Sequence, residues 1–103
     1  MSNPGGPERT VTATPSFLKS KRRLREAVQL AVDAQVRKLV GDPLAGEPKV
    51  GALTGVRVVK FKVGPQQYLL AYRFLTKSNV VEMLDVGVHE NFYRDLQGHL
   101  EGR

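Results

Sequence analysis

The chain has no cysteine, which excludes disulfides, thiolate zinc sites, iron–sulfur clusters and thiol nucleophiles. Histidine is nearly as scarce: there are only His89 and His99, without the i, i+4 spacing that would turn both toward one metal from a helix. No metal and no cofactor is expected. The chain also lacks any uninterrupted apolar run of the roughly 18 residues that span a bilayer, and its start, MSNPGGPERT, lacks the apolar middle of a secretory signal. A cytoplasmic protein with no membrane partner is expected. Acidic side chains are the minority, 10 against 16 Lys and Arg, for a net charge of +6. Clustered cations gain affinity for polyanions by displacing counterions, so an anionic partner is expected, although the balance does not choose among RNA, DNA and an acidic protein.

With 103 residues, 41% of them apolar, one small domain with a single modest core is expected. Residues 1–8, with two prolines and two glycines, read as a disordered tail, and 9–100 as the domain. RTVTA, from Arg9 to Ala13, alternates as an edge strand does. Thr14 before Pro15 signals a helix start, with Phe17, Leu18 and Leu24 expected on an inward stripe. Ala27, Leu30, Ala31, Ala34, Leu39 and Val40 repeat at helical spacing over Glu26 to Val40, ended by Gly41, Asp42 and Pro43. Leu44 to Gly55 reads as a loop.

Three strands follow in antiparallel order, VRVVKFKV (Val56 to Val63), QYLLAYRFL (Gln67 to Leu75) and VVEMLDV (Val80 to Val86), with turns at 64–66 and 77–79. Phe92, Leu96 and Leu100 then define a last helix over Glu90 to Leu100, which Gly98 and Gly102 should fray. The fold class is therefore α+β, β-α-α-β-β-β-α, with a small antiparallel sheet packed on an N-terminal helical hairpin.

If Val63 pairs with Tyr68, then Lys62 opposes Leu69, Lys60 opposes Ala71 and Val58 opposes Arg73. That register places Lys60, Lys62 and Arg73 on one face, and Val59, Phe61, Val63, Leu70, Tyr72 and Phe74 on the other. A sheet covered by helices on one side and cationic on the other is expected. The cationic face can hold a polyanion, with His89 and Tyr93 at its rim. The ordinary explanation is a solvated sheet face, with Arg73 in a cross-strand ion pair with Glu82, His89 capping the last helix and Tyr93 half-buried. The chemistry available is concrete: imidazole moves protons near neutral pH, and lysine and arginine stabilise charge on a phosphate, which suffices for metal-free RNA cleavage.

The order of elements, KFK in the first meander strand, QYLLAYRF in the second and GVHENFYRDL at the end together resemble the RelE/ParE superfamily of toxins from bacterial type II toxin–antitoxin systems. The likeness runs from about Arg9 to Leu100 and is strongest for the RelE/YafQ-like mRNA interferase subgroup with a GPHENFYRDLK-type ending. It implies a RelE-like microbial RNase-type fold and cleavage of mRNA in the ribosomal A site by attack of a ribose 2′-OH on the adjacent phosphate. By position Lys60 and Lys62 match a catalytic Lys-x-Lys pair of RelE, His89 a catalytic histidine of the YafQ-like branch, and Tyr93 a functional tyrosine. Departures are Leu69, where RelE has an arginine in its YRLVY strand, His89, near where RelE has another, and Val88 in place of a proline. Arg73, on the same face as Leu69, is the candidate replacement.

The function these observations imply is a ribosome-dependent, metal-independent mRNA endonuclease that inhibits translation. His89 is the candidate general acid or base, Lys60, Lys62 and Arg73 would stabilise the phosphate, and Tyr93 would orient the nucleotide or assist proton transfer. The basic first helix, Lys19, Lys21, Arg22, Arg23 and Arg25, would meet ribosomal RNA through phosphates. The implied partners are a cognate antitoxin, the ribosome and mRNA, with operator DNA reached only through the antitoxin complex. Two alternatives remain open at this point: a ParE-type inhibitor of DNA gyrase without nuclease chemistry, and a basic binding module without activity.

Overall fold

The computed structural model describes residues 9–88 and 92–101. The expected tail at 1–8, His89 and the expected helix start at Glu90 lie outside them. The described elements are β1 (Thr10–Ala13), α1 (Pro15–Arg22), α2 (Glu26–Gly41), β2 (Glu47–Pro48), β3 (Arg57–Val63), β4 (Gln66–Leu75), β5 (Val80–Val88) and α3 (Phe92–Leu100), with one 3₁₀ turn at Gly51–Leu53. The strands form one sheet in the order β1-β5-β4-β3-β2. β1 is the expected edge strand, but it runs parallel to β5, so the sheet is mixed, and β2 adds a second short edge inside the expected loop.

Thr14 caps α1: its hydroxyl oxygen accepts from the backbone N–H of Phe17 at 3.1 Å and its hydroxyl donates to the carbonyl of Leu84 at 2.8 Å. One residue thus starts the helix and ties it to β5. α2 buries Val28, Val32 and Leu39, with Ala31 and Val36 partly covered. The expected stripe is rotated accordingly: Ala27 and Leu30 face outward, as does Leu18 on α1. Small alanines carry little burial energy, so the larger valines at i and i+4 set which side packs inward.

The β3–β4 hairpin closes tighter than its predicted register. Val63 pairs with Gln66 rather than Tyr68, and Lys60 with Leu69 rather than Ala71. Gly64 has φ 59°, and Gly-Pro fits a two-residue II′ turn, whose twist matches the strands it joins. A slip of two residues preserves which side chains share a face. Accordingly Val59, Phe61, Val63, Leu70, Tyr72 and Phe74 lie in the main core with Phe17, Val28, Val32, Leu39, Val81, Met83 and Val86.

The opposite face is not an open cationic surface. α3 packs there, and Val56, Val58, Leu69, Ala71, Leu84, Phe92 and Leu96 form a second core. A bulge in β5 shapes this face: Ala71 pairs with Asp85 but Tyr72 pairs with Met83. The extra residue, Leu84, shifts the alternation so that Asp85 joins the α3 side rather than the main core. The helix continues through Gly98 to Leu100, because the burial of Phe92 and Leu96 outweighs the roughly 1 kcal/mol penalty of an interior glycine.

Tyr72 anchors the loop after α2. Its buried hydroxyl donates to the carbonyl of Pro43 and accepts from the N–H of Gly46, both at 2.8 Å. A Cβ at position 46 would meet the Tyr72 ring at 2.7 Å, so only glycine fits there.

Candidate nucleic-acid interface

β2 pairs only as far as Arg57 and Val58, which leaves the rest of β3 as a sheet edge. Lys60 and Lys62 stand exposed on that stretch, on the α3 side of the sheet. Alternation along the strand puts them on one face, and the strand spacing separates their Cα atoms by about 7 Å. Among the described residues no carboxylate forms an ion pair with either. Lys62 pairs with Gln67, and the next residue, Tyr68, pairs with Val88 at the end of β5. The two lysines therefore lie toward the end of the sheet from which the chain leaves for His89, which itself lies outside the described residues.

Arg73 shares their face but not their neighbourhood. It lies four residues along β4 from Leu69, roughly 13 Å at strand rise, and its guanidinium is 3.6 Å from the Glu82 carboxylate across the strand pair. Leu69 is fully buried in the cluster with Phe92 and Leu96. The position of the arginine found in RelE is here part of the seat for α3.

Tyr93 lies half-buried against the same cluster, edge-on to Phe92 with ring centroids 5.4 Å apart. The Lys49 ammonium sits 5.1 Å from the Tyr93 ring centroid and 3.3 Å from the Glu47 carboxylate. Burial pulls the Lys49 pKa down, but hydrogen bonds to Tyr93 and Glu47 outweigh it and leave the pKa above its ordinary 10.5. Sequence reasoning passed over Lys49, because nothing in a Gly- and Pro-rich loop marks it as a neighbour of a residue more than forty positions on.

The basic helix divides. Lys21 is held by Asp33 of α2 at 2.6 Å, whereas Lys19, Arg22, Arg23 and Arg25 are exposed. Lys19 and Arg23 line an open cavity of about 310 Å³ with Pro15, Ser16, Ser20 and His99 of α3. The Nδ1 of His99 is 3.1 Å from the Asp85 carboxylate, whose other oxygen accepts from the Val86 N–H at 2.8 Å. Asp85 is the one charged residue in the buried core of the described chain. The signal for this pair was an aspartate inside the apolar run VVEMLDV; its partner could not be read from the sequence. Among the described residues no group of three His, Asp or Glu side chains converges on a common point, and no helix is long and apolar enough to cross a membrane.

Two packed faces on a small mixed sheet, with the N-terminal helices on one side and a short terminal helix on the other, define the RelE toxin fold. A double mutant of the E. coli toxin RelE in its free state superposes with a TM-score of 0.73 at 17% identity, covering 93% of this chain and 99% of that one. The toxin–antitoxin complex RelBE2 of Mycobacterium tuberculosis gives 0.70 at 24% identity, covering 80% and 99%. The intact E. coli RelBE toxin–antitoxin complex gives 0.66 at 21% identity, covering 80% and 98%. No curated protein matches the sequence. Residues 11–97 match the family described as ParE-like toxin of type II bacterial toxin-antitoxin system. The chain belongs to that family and is a toxin of a type II toxin–antitoxin system.

Proposed function

We propose that this toxin is a ribosome-dependent mRNA endonuclease of the RelE type. The observation that carries the reading is the pair of exposed cations Lys60 and Lys62 on the α3 side of β3, which no carboxylate among the described residues neutralises, toward the end of the sheet where β5 ends at Val88. In the proposed reaction a ribose 2′-oxygen forms a bond to the adjacent phosphorus and the bond from phosphorus to the 5′-oxygen breaks. His89 moves the proton, assisted by Tyr93, while the two ammonium groups stabilise the charge that builds on the phosphoryl oxygens. Arg73, neutralised by Glu82 at a distance from the lysines, is assigned to the sheet rather than to the reaction. A cognate antitoxin is the proposed inhibitor, since two of the similar structures are toxin–antitoxin complexes; operator DNA would be reached through that complex.

The test is to induce the wild type, His89→Ala and the Lys60→Ala/Lys62→Ala double variant in a bacterial host and map mRNA 5′ ends on translating ribosomes. In-frame A-site cuts are expected with the wild type, reduced by about 10²-fold or more in either variant. The ParE-like family match and the buried Leu69 favour a second reading, inhibition of DNA gyrase. Growth arrest with intact mRNA and DNA-damage signalling would establish that reading and remove the first.

A further inference from the structure

The cavity between α1 and α3 lies on the far side of β5 and β4 from Lys60 and Lys62, at least two strand spacings or roughly 10 Å away. Ser16, Lys19 and Ser20 recur at i, i+3 and i+4 on α1, and Arg23, its C-cap residue in helical conformation, continues the same stripe at i+7. A stripe that turned toward another helix merely to pack would be apolar. This one consists of hydrogen-bond donors, two of them cationic, and it includes the first turn of the helix, where the backbone dipole is positive.

His99 completes the lining from α3, and its ring is not left to rotate in solvent. Asp85 engages Nδ1 and is itself fixed by the Val86 N–H, which leaves Nε2 as the ring nitrogen available to the cavity. A buried carboxylate is costly unless its oxygens are satisfied; here one serves the backbone and the other serves a single imidazole. The bulge at Leu84 is what puts Asp85 on this side of the sheet. Thr14 bonds to the backbone of Met83 and Leu84 on one side and starts α1 on the other. The same residue thus fixes the stripe relative to the strand that carries Asp85, which gives the cavity the rigid support that a binding site requires. Among the described residues no acidic side chain lines it.

We propose that this cavity binds a backbone phosphate of RNA, with Lys19, Arg23 and His99 as its ligands and Asp85 as the positioning residue for His99. The anion chemistry stands on the lining alone; the choice of RNA rests on the nuclease reading. The volume, at the lower end of the range for small-ligand sites, accommodates a phosphate with part of its ribose. The site is distinct from the proposed cleavage centre and would hold the strand away from the reacting phosphate.

The test measures binding of the full chain to a 2′-O-methyl RNA oligonucleotide, which cannot be cleaved through its 2′-oxygen, over a salt series. Lys19→Gln/Arg23→Gln changes only exposed side chains and is expected to weaken binding by ~10-fold or more and to lower the salt slope by about 2. Arg37→Gln/Lys38→Gln removes the same charge from the exposed surface of α2, outside the cavity, and should weaken binding less than about 3-fold. Equal loss from both pairs, or no loss from the first, overturns the proposal, as does a wild type that does not bind. Asp85→Asn is read by the ring-nitrogen chemical shifts of His99: a changed tautomer with weakened RNA binding supports the positioning role, and unchanged shifts overturn it. A wild type that binds through Lys19 and Arg23 yet cuts no ribosomal mRNA would remove the nuclease reading and leave this one standing.

Discussion

The two faces of the sheet are built from the same alternating strands and differ in what covers them. Toward the helical hairpin, apolar side chains from β3, β4 and β5 run the length of the strands and meet α1 and α2. Toward α3 the apolar part is a central patch of Val58, Leu69, Ala71 and Leu84 under one nine-residue helix. Lysines 60 and 62 lie toward one end of that face, and the Arg73–Glu82 pair at the other. The first face carries the larger buried cluster. The second exchanges buried area for charges that solvent and ligands can reach, and so carries the functional candidates.

Leu69 and Leu70 are neighbours in sequence, both fully buried, on opposite faces, which makes them the sharpest pair with which to break the comparison. Leu70→Ala leaves a cavity between two layers that cannot close and is expected to cost about 3 to 5 kcal/mol in urea unfolding. Leu69→Ala should cost less, about 2 to 3 kcal/mol, because a short helix can settle into the space. It should also raise hydrogen exchange in α3 ahead of global unfolding, an effect that Leu70→Ala lacks. Equal losses with uniform exchange would show the faces to be one cooperative unit.

A middle-sized effect is expected from Tyr72→Phe, which strips the buried carbonyl of Pro43 and N–H of Gly46 of their partner at a cost of about 2 to 4 kcal/mol. Burial raises the Tyr72 pKa above the ordinary 10.0, against the opposing hydrogen bond from Gly46. The sign follows: a folded-state pKa above the unfolded one contributes stability that is complete below pH 10 and is lost as pH rises toward the folded value. Urea titrations from pH 8 upward should show this alkaline loss in the wild type, with that contribution missing from Tyr72→Phe.

The smallest effect belongs to Arg73→Ala. Its ion pair is about one-third exposed on both partners, so the expected loss is below ~1 kcal/mol by thermal or urea unfolding. A loss of several kcal/mol would mean that the charged end of the α3 face is as much a part of the core as its centre.

Much of this contrast is legible in the sequence. The period-2 pattern in RVVKFKV and QYLLAYRFL sorted Val59, Phe61, Leu70 and Tyr72 from Lys60, Lys62 and Arg73, and that sorting survives a two-residue slip because the slip is even. Thr14-Pro15 marked the start of α1. What the pattern does not show is that the second face is covered: it sets Leu69 and Ala71 among cations and gives Phe92 and Leu96 no seat, whereas the four pack together. On α2 the alanine-rich side was expected to face inward and the valine side does, since helical periodicity alone cannot rank two weakly apolar stripes.

The order of the longer elements, the start of α1 and the two-sided character of the strands therefore followed from the sequence, because these depend on contacts within a few residues and on the fixed periods of helix and strand. The tertiary structure settled the parallel docking of β1, the pairing of β2 inside the loop, the bulge at Leu84, the pairing of Lys21 with Asp33, and the meeting of Asp85 with His99 across 14 positions. Those outcomes turn on which packed arrangement buries the most apolar surface while leaving no buried charge unpartnered, and that balance is struck only when distant segments come together.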